Sequence, residues 1–296
     1  MNKLNLIKKY FSEKAKFMLP SFQRQQNRFG NNWEKDFSHV LDNFFDTEDQ
    51  LFEALRGYNN FVFDGMRLQK KFEKTLNYEK SSYEEAQTNV YHNREYMFKL
   101  YLPGILLSHF LWPHHYEQLL FFRKSILNKI PNDNIKFCDI GPGTGFYTRF
   151  ILENKKNSFG HVFDISDHSI NFTNNQCIKF GVSDRLTCKK QNIINSNIEN
   201  EFDFLVNVEV LEHLENPEEF LFSLRKMMKK NSYGFITAAV NAANEDHIYL
   251  YRSGEEVKKQ IEKSGLIIID KQYDLAYEPK NNEPVPENAA FLVQKK

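Results

Sequence analysis

A tight group of glycines stands directly behind a short apolar run in the sequence FCDIGPGTGFYTRF, residues 137–150. The group comprises Gly141, Gly143 and Gly145. An apolar strand that ends in Asp139 and is followed by such glycines and a helix brings backbone close to a nucleotide-like ligand. The dinucleotide fingerprint GxGxxG would need glycine where Phe146 stands, so pyrophosphate binding is the weaker interpretation. A tight turn that holds no ligand is the other possibility.

A carboxylate one βα unit downstream supports the ligand interpretation. The apolar run SFGHVFDI predicts a second strand that ends at Asp164. A carboxylate at this position of an α/β sheet can accept hydrogen bonds from both hydroxyls of a ribose. The sequence therefore predicts a ribose-containing ligand at the carboxyl edge of the sheet.

A second group of chemically capable residues lies in the segment NVEVLEHLENPEEF. If Glu209, Glu212 and His213 begin a helical turn, their spacing of three and four puts all three on one face. Two carboxylates and an imidazole on one face suit a hard divalent ion. His247 lies in a later loop that should overhang the same edge. A metal-free general base at His247 or His213 and a purely structural role for the set are the alternatives.

The DIGPGTG loop, the acidic end of the second strand and the order of elements resemble the class I S-adenosylmethionine-dependent methyltransferases over roughly residues 137–296. The resemblance implies S-adenosylmethionine as cofactor, with the glycine loop against its amino-acid end and Asp164 on its ribose hydroxyls. Asn192 falls where the family often has an aspartate facing adenine. The implied cofactor contacts are Asp139, Gly141, Pro142, Gly143, Gly145, Asp164, Ile165, Asn192, Val208 and Glu209.

The EVLEHL segment with a later histidine looks like the ubiquinone O-methyltransferases and the small-RNA 2′-O-methyltransferases. The latter resemblance implies a divalent ion held by Glu209, Glu212, His213 and His247. Such an ion would bind the substrate hydroxyl and lower its pKa. Many small-molecule methyltransferases have similar segments without a metal, so the metal is one of several possibilities.

The second half of the chain predicts a sheet that can hold these residues together. Seven short apolar runs alternate with helical patterns, and the helices should open near Gly145, Asp167, Pro217 and Gly254. The last two runs have no helix between them and should pair antiparallel. The sequence predicts an α/β fold over residues 131–296, a Rossmann-like seven-stranded methyltransferase sheet that is mostly parallel with an antiparallel last strand.

Residues 1–130 read instead as a helical N-terminal cap that shapes the substrate site. Apolar residues recur there at helical spacing, and capping boxes are predicted at Thr47 with Gln50 and at Ser82 with Glu85. The substrate-pocket candidates are Tyr101, Trp112 and His115. Aromatic residues at helical spacing are more often core, and His114 and His115, just after Pro113, more often lie on an exposed first turn.

The composition narrows the class of substrate. The chain has 39 Lys+Arg and 39 Asp+Glu, a net charge of zero that gives no general attraction to nucleic acid. No run of about 20 apolar residues reaches bilayer length, and three cysteines without a framework suit a reducing cytosol, so a cytoplasmic protein is expected. We expect methyl transfer to oxygen, carbon or nitrogen of a small molecule. RNA or protein methylation, a nicotinamide-dependent oxidoreductase and a catalytically silent cofactor-binding module remain alternatives, and the sequence does not indicate an oligomeric state.

Overall fold

Helical spacing of apolar residues produces a helical N-terminal region, as predicted. The computed structural model describes residues 2–79, 82, 84, 94–132, 134–194, 196–279 and 283–296. The helices of this region are α1 (Lys3–Lys14), α2 (Leu19–Phe44), α3 (Glu48–Thr75), α4 (Leu102–Leu111) and α5 (Pro113–Phe121). Shorter helical turns cover Lys16–Met18, Arg94–Tyr96, Met97–Tyr101, Phe122–Ile126 and Leu127–Lys129.

Local signals set the ends and bends of these helices. The Thr47 hydroxyl accepts a hydrogen bond from the Gln50 amide at 3.2 Å and caps α3, as its capping-box pattern predicted. The second predicted box cannot be described, because Glu85 lies outside the described residues. Within α2, Gly30 has a φ of 61°, so the helix kinks at a residue that tolerates left-handed backbone.

The seven apolar runs of the second half form the seven strands of one sheet. They are β1 (Ile135–Ile140), β2 (Ser158–Asp164), β3 (Leu186–Lys190), β4 (Phe202–Asn207), β5 (Met228–Val240), β6 (Ile267–Leu275) and β7 (Glu287–Gln294). The strand order is β3-β2-β1-β4-β5-β7-β6. The pairs among β1 to β5 are parallel, whereas β7 runs antiparallel to both β5 and β6. The predicted mostly parallel sheet with an antiparallel last strand is confirmed.

Four longer helices connect the strands and begin where the sequence predicted them. They are α6 (Phe146–Asn154), α7 (Asp167–Lys179), α8 (Pro217–Met227) and α9 (Gly254–Lys263). Asn216 caps α8 by accepting from the Glu219 amide at 3.4 Å, with Pro217 at the first helical position. Because crossover helices follow parallel strands, the turns after β1, β2, β4 and β5 all meet at one edge of the sheet.

The helical region and one face of the sheet share a single core. Trp33 and Phe37 in α2 pack with Phe110 of α4, and this cluster continues through Phe146 of α6 to Phe235 in β5. A second cluster fills the opposite face of the sheet beneath α8 and α9. The division into residues 1–130 and 131–296 stays a prediction, although the last helical turn ends at Lys129 and β1 begins at Ile135.

Two further features concern the cysteines and the hydrophobic length of the helices. None of the three cysteines forms a disulfide, and Cys138 and Cys177 are buried as small apolar residues. Within the part of the chain that the structure describes, no helix combines the length and the apolar character needed to cross a membrane.

Candidate active site

The helical region covers the carboxyl edge of the sheet and encloses a cavity of about 970 Å³. This volume lies at the upper end of the range for small-molecule sites, so it can hold more than one ligand. Most residues that the sequence singled out line this cavity: Asp139, Gly141, Pro142, Gly143, Asp164, Ile165, Asn192, Val208, Glu209, His213, His247, Tyr101, Trp112 and His115. Gly145 and Glu212 are not among the lining residues.

The glycine loop after β1 has left-handed backbone at all three glycines, with φ of 68° at Gly141, 55° at Gly143 and 75° at Gly145. A Cβ atom at Gly141 would lie 2.6 Å from Val210 Cγ2, and one at Gly145 would lie 2.5 Å from Thr173 Cγ2. A Cβ atom at Gly143 would meet no described atom within 4 Å. Two glycines therefore allow close packing inside the protein, and the third exposes its backbone to the cavity.

Two carboxyl groups flank this loop, Asp139, which is buried, and Asp164, which is half-buried. Asp139, 2% exposed, accepts a hydrogen bond from the Thr148 hydroxyl, and burial raises its pKa to about 7. Asp164 ends β2, accepts from the Ser166 amide at 2.8 Å, and burial raises its pKa to about 6. Asp164 is thus held by backbone at the cavity wall, where a ligand with hydroxyl groups can lower the cost of its ionisation.

The turn after β3 supplies a second amide that the sequence did not single out. Asn192 is exposed, and its side-chain oxygen already accepts from the Ile194 amide at 2.9 Å. The adjacent Gln191 lines the cavity, and its buried Oε1 has no hydrogen-bond partner among the described residues. Gln191 is therefore a further candidate for contact with the base of a nucleotide-like ligand, and a family pattern centred on Asn192 could not have found it.

Glu209 lies outside the helical turn in which the sequence placed it. Its φ is 51°, and its amide donates to Thr237 Oγ1 at 3.1 Å, so the helical turn comprises only Leu211–His213. The prediction that Glu209 shares a helical face with Glu212 and His213 was wrong at this position. Burial raises the pKa of Glu209 to about 7, and its Oε1 has no partner among the described residues. Its Oε2 lies 3.8 Å from His115 Nε2.

Glu212, His213 and His247 come together across the end of the sheet. One oxygen or nitrogen from each lies within 4.8 Å of the others, the spacing of ligands that could share one ion. Glu209 is not a member of this group. Glu212 is fully buried, and neither of its carboxylate oxygens has a hydrogen-bond partner in the described chain. Burial, aided by the neighbouring charge of Glu209, holds its pKa well above the usual range.

Hydrogen bonds orient both imidazoles of this cluster. His247 Nδ1 lies 2.6 Å from the Ala242 carbonyl, which can only accept, so Nδ1 carries the proton and Nε2 keeps its lone pair. His213 Nδ1 is 3.0 Å from the carbonyl of Asp246, and the Asp246 carboxylate accepts from the Tyr101 hydroxyl at 2.7 Å. Burial lowers the pKa of His247 to about 4. Such outer hydrogen bonds fix the ring orientation of metal-binding histidines.

The substrate-pocket candidates lie on the helical side of the cavity. Trp112 stacks on Phe61 with ring centroids 5.6 Å apart and packs edge-on against His115 at 4.8 Å. The expectation that His114 and His115 lie on an exposed first turn was wrong, because they are only 8% and 7% exposed. Around this turn His114 stacks on Trp112 and His115 lies 2.9 Å from Ser108 Oγ of α4, and no local sequence signal reports those contacts.

The fold and the cavity now define a class. A parallel sheet of this order, an antiparallel β7, a glycine turn after β1 and a carboxylate after β2 are the features of a class I S-adenosylmethionine-dependent methyltransferase. A family model described as a methyltransferase domain matches residues 113–270, more than half of the chain. The chain therefore belongs to this methyltransferase family. The matched range begins at Pro113, inside the helical region.

Solved structures with the same fold are distant in sequence. An O-methyltransferase family protein from Burkholderia thailandensis superposes with a TM-score of 0.58 at 10% identity, covering 83% of this chain and 72% of that one. Phosphoethanolamine N-methyltransferase 2 from Haemonchus contortus gives 0.54 at 13% identity, covering 73% and 60%. The [4+2]-cyclase SpnF gives 0.50 at 12%, covering 61% and 80%. These likenesses establish the fold alone. No curated protein sequence matches the chain.

Proposed function

We propose that this methyltransferase transfers the methyl group of S-adenosylmethionine to a hydroxyl oxygen of a small molecule bound in the cavity. The observation that carries the proposal is the cluster of Glu212, His213 and His247 at the cavity end of the sheet. Transfer is an in-line displacement in which the S–CH₃ bond breaks as the O–CH₃ bond forms, so the protein must hold the oxygen beside the sulfonium and exclude water. The helical region that encloses the cavity supports both tasks.

The cluster fits a divalent ion. Glu212 offers two buried oxygens that have no partner in the described chain, and His247 offers Nε2 because its proton is on Nδ1. His213 would contribute Nε2, since its Nδ1 is occupied by the Asp246 carbonyl. A bound divalent ion would lower the pKa of the acceptor hydroxyl and fix its oxygen.

A metal-free general base at His247 is the weaker alternative. A general base works best when its pKa lies near the working pH, and burial lowers that of His247 to about 4. The same burial keeps the imidazole neutral, which is the form that binds metal. His247 is therefore better suited to bind an ion than to remove a proton unaided.

The shape and charge of the cavity favour a small acceptor over nucleic acid or protein. The net charge of the chain is zero, and Arg24 is the one Lys or Arg among the described residues of the lining. A nucleic-acid site normally presents a basic stripe. The family match and the residue Phe146 in place of a third fingerprint glycine argue against a nicotinamide-dependent oxidoreductase.

The first experiment is a transfer assay. The purified protein is incubated with methyl-labelled S-adenosylmethionine and cell extract, and the label is fractionated into small molecules, protein and nucleic acid. Label in the small-molecule fraction, at an oxygen of the isolated product, supports the proposal. Label in RNA or protein would replace it with the macromolecular alternative, and cofactor binding without any transfer would favour the silent module.

The ion can be tested separately from turnover. We expect Glu212→Gln and His247→Ala each to weaken cobalt(II) binding by at least tenfold, because the first removes the only charged ligand of the cluster and the second removes an imidazole ligand. Glu209→Gln is the matched control, since Glu209 lies outside the cluster and should retain cobalt binding. Cobalt binding would be followed by visible absorption and metal content by mass spectrometry. Unchanged metal content in the first two variants, with full activity in chelator-treated protein, contradicts the metal proposal.

A further inference from the structure

We infer that His109, His114 and His115 form a hydrogen-bonding subsite for an uncharged polar group of the acceptor, which is therefore a neutral molecule with an apolar body rather than an organic acid or phosphate ester. This inference rests on the proposed function, because it concerns the acceptor side of the same cavity. Its evidence lies in the helical region, away from the glycine loop contacts and from the Glu212 cluster.

The three imidazoles form a continuous group in the wall of the cavity. His114 and His115 have ring centroids 4.6 Å apart, and His109 lies 5.8 Å from His115. All three residues line the cavity and are more than nine-tenths buried. Stacking holds two of the rings in place, His109 on Phe146 and His114 on Trp112. The group is thus a preformed surface rather than a set of mobile side chains.

Much of the hydrogen-bonding capacity of this surface is unused. The Nδ1 atoms of His109 and His114 are buried and have no partner among the described residues. His115 Nδ1 lies 2.9 Å from Ser108 Oγ, and Ser108 donates its proton to the Ile105 carbonyl, so His115 donates to Ser108. His115 Nε2 therefore carries a lone pair, and this atom lies 3.8 Å from Glu209 Oε2. Because the Nδ1 atoms of His109 and His114 are closed off, the Nε2 atoms of these two residues, which also make no hydrogen bond to a described residue, are the nitrogens left for a ligand in the cavity.

The three imidazoles do not form a metal-binding group. Among the described residues, Glu212, His213 and His247 bring ligand atoms close enough to share an ion, whereas His109, His114 and His115 do not. Rings that are close but whose nitrogens do not converge on one point suit a polar group of an organic molecule, which can bond to separate nitrogens.

Charge selects a neutral ligand for this surface. Burial lowers the pKa of His109 and of His114 to about 3 and that of His115 well below its usual value, so all three are uncharged at neutral pH. The lining carries five acidic side chains, Asp139, Asp164, Glu209, Glu215 and Glu219, against the exposed Arg24. An anion placed on this surface would therefore lose water without gaining a cationic side chain as partner. A neutral group finds imidazoles that both donate and accept, and Trp112, Phe61 and Tyr58 offer an apolar wall to the rest of the molecule.

The test uses three probes that share a ring and differ in one polar group: benzyl alcohol, benzoate and benzylammonium. Each is titrated into chelator-treated protein saturated with S-adenosylhomocysteine, and binding is followed by ligand-observed NMR. We expect benzyl alcohol to bind at least tenfold more tightly than benzoate. Equal or tighter binding of benzoate overturns the inference, and tighter binding of benzylammonium overturns it in favour of recognition by the carboxylates.

A variant assigns the binding to the imidazoles. His114→Phe keeps an aromatic ring against Trp112 but removes both nitrogens. It should weaken the binding of benzyl alcohol at least fivefold and leave the affinity for S-adenosylhomocysteine unchanged. His39→Phe is the matched control, because His39 lies on α2 outside the cavity lining, with its Nε2 2.8 Å from Glu153. Unchanged benzyl alcohol binding in His114→Phe overturns the assignment. The probe order of the unmodified protein remains decisive if that variant does not fold.

These readouts separate the inference from the proposed function. Probe binding requires neither methyl transfer nor a metal ion, so the subsite can be supported even if the acceptor proves not to be a hydroxyl. Conversely, label transfer to a small molecule together with preferential benzoate binding would support the proposed function and overturn the subsite.

Discussion

At the residue scale, the three glycines of the loop after β1 meet different steric demands, and substitution should separate them. Gly143→Ala places a methyl group in the cavity, so we expect weaker S-adenosylhomocysteine binding. Its left-handed φ of 55° adds a backbone cost of about 1 kcal/mol. Gly145→Ala drives a methyl group against Thr173 of α7 and should lower thermal stability more. Calorimetric titration and thermal unfolding measure the two effects.

Gly181 supplies the matched control for this pair. It has a φ of 67°, a Cβ there would meet no described atom within 4 Å, and it lies outside the cavity lining. Gly181→Ala should therefore show the same backbone cost as Gly143→Ala without the loss of cofactor affinity. Equal affinity for S-adenosylhomocysteine in all three variants would mean that the glycine loop does not face the cofactor.

At this scale, the sequence predicts the residues whose role depends on the local backbone. The glycines and Asp164 were predictable because neighbouring residues determine where strands end and where tight turns form. The burial of His114 and His115 was not, since it depends on tertiary packing, in which α5 lies against α4 and against the distant strands β6 and β7. The positive φ of Glu209 also escaped prediction, because its amide bonds to Thr237 on the adjacent strand.

At the element scale, α3 holds the loop that carries His247. Gln69 donates to the Asn241 carbonyl at 3.1 Å and accepts from the Ala243 amide at 2.9 Å. These bonds bracket Ala242, whose carbonyl accepts from His247 Nδ1. A helix of the N-terminal region therefore fixes the ring orientation of a residue beyond β5, which no local pattern could have indicated.

Loss of the two Gln69 hydrogen bonds should weaken metal binding by the cluster of Glu212, His213 and His247 without changing any of its ligands. We expect Gln69→Ala to weaken cobalt(II) binding by about tenfold, the effect typical of lost outer-shell hydrogen bonds. S-adenosylhomocysteine affinity should not change, because the glycine loop follows β1, whereas Gln69 bonds to the loop after β5. Cobalt titration followed by visible absorption measures the effect. Lys70→Ala, an exposed neighbour on the same helix, is the control, and equal cobalt affinity in both variants would show that Gln69 does not position His247.

The strands and helices of the sheet region were largely predictable. Buried parallel strands appear in the sequence as apolar runs, and Gly145, Asn216 and Pro217 mark where helices begin. The start of β5 at Met228 was not predictable, since residues such as Lys229, Lys230 and Asn231 interrupt its apolar pattern. This part of β5 is irregular, because Asn231 has a φ of 63° and the pairing with β4 shifts register between Phe202 and Phe204. Tertiary hydrogen bonds, such as that from the Asn231 amide to the Lys295 carbonyl at 2.7 Å, hold it there against its local propensity.

At the scale of the whole molecule, the shared core predicts that the sheet region does not fold alone. Phe122 in the turn after α5 packs 5.0 Å from Phe235 in β5, between ring centroids, and Phe204, Val206 and Leu292 belong to the same buried cluster. Without the helices, a fragment of residues 131–296 would expose this apolar face to water.

We therefore expect the fragment 131–296 to bind a hydrophobic dye and to lack a cooperative thermal transition, whereas a fragment of residues 94–296, which keeps α4 and α5, should regain part of that transition. Dye fluorescence and circular dichroism measure the difference. A cooperative transition in the shorter fragment, with native affinity for S-adenosylhomocysteine, would instead establish residues 131–296 as an independent domain.

The position of β7 has a consequence for the timing of folding during synthesis. Among the described strands, β6 pairs with β7 alone, and β7 is the later of the two to leave the ribosome. Until β7 emerges, β6 has no ladder partner, and the edge of β5 that β7 will cover stays open. This side of the sheet is therefore completed in the reverse of the order in which it is made. Chains paused between these two strands would be the form of this protein most exposed to aggregation.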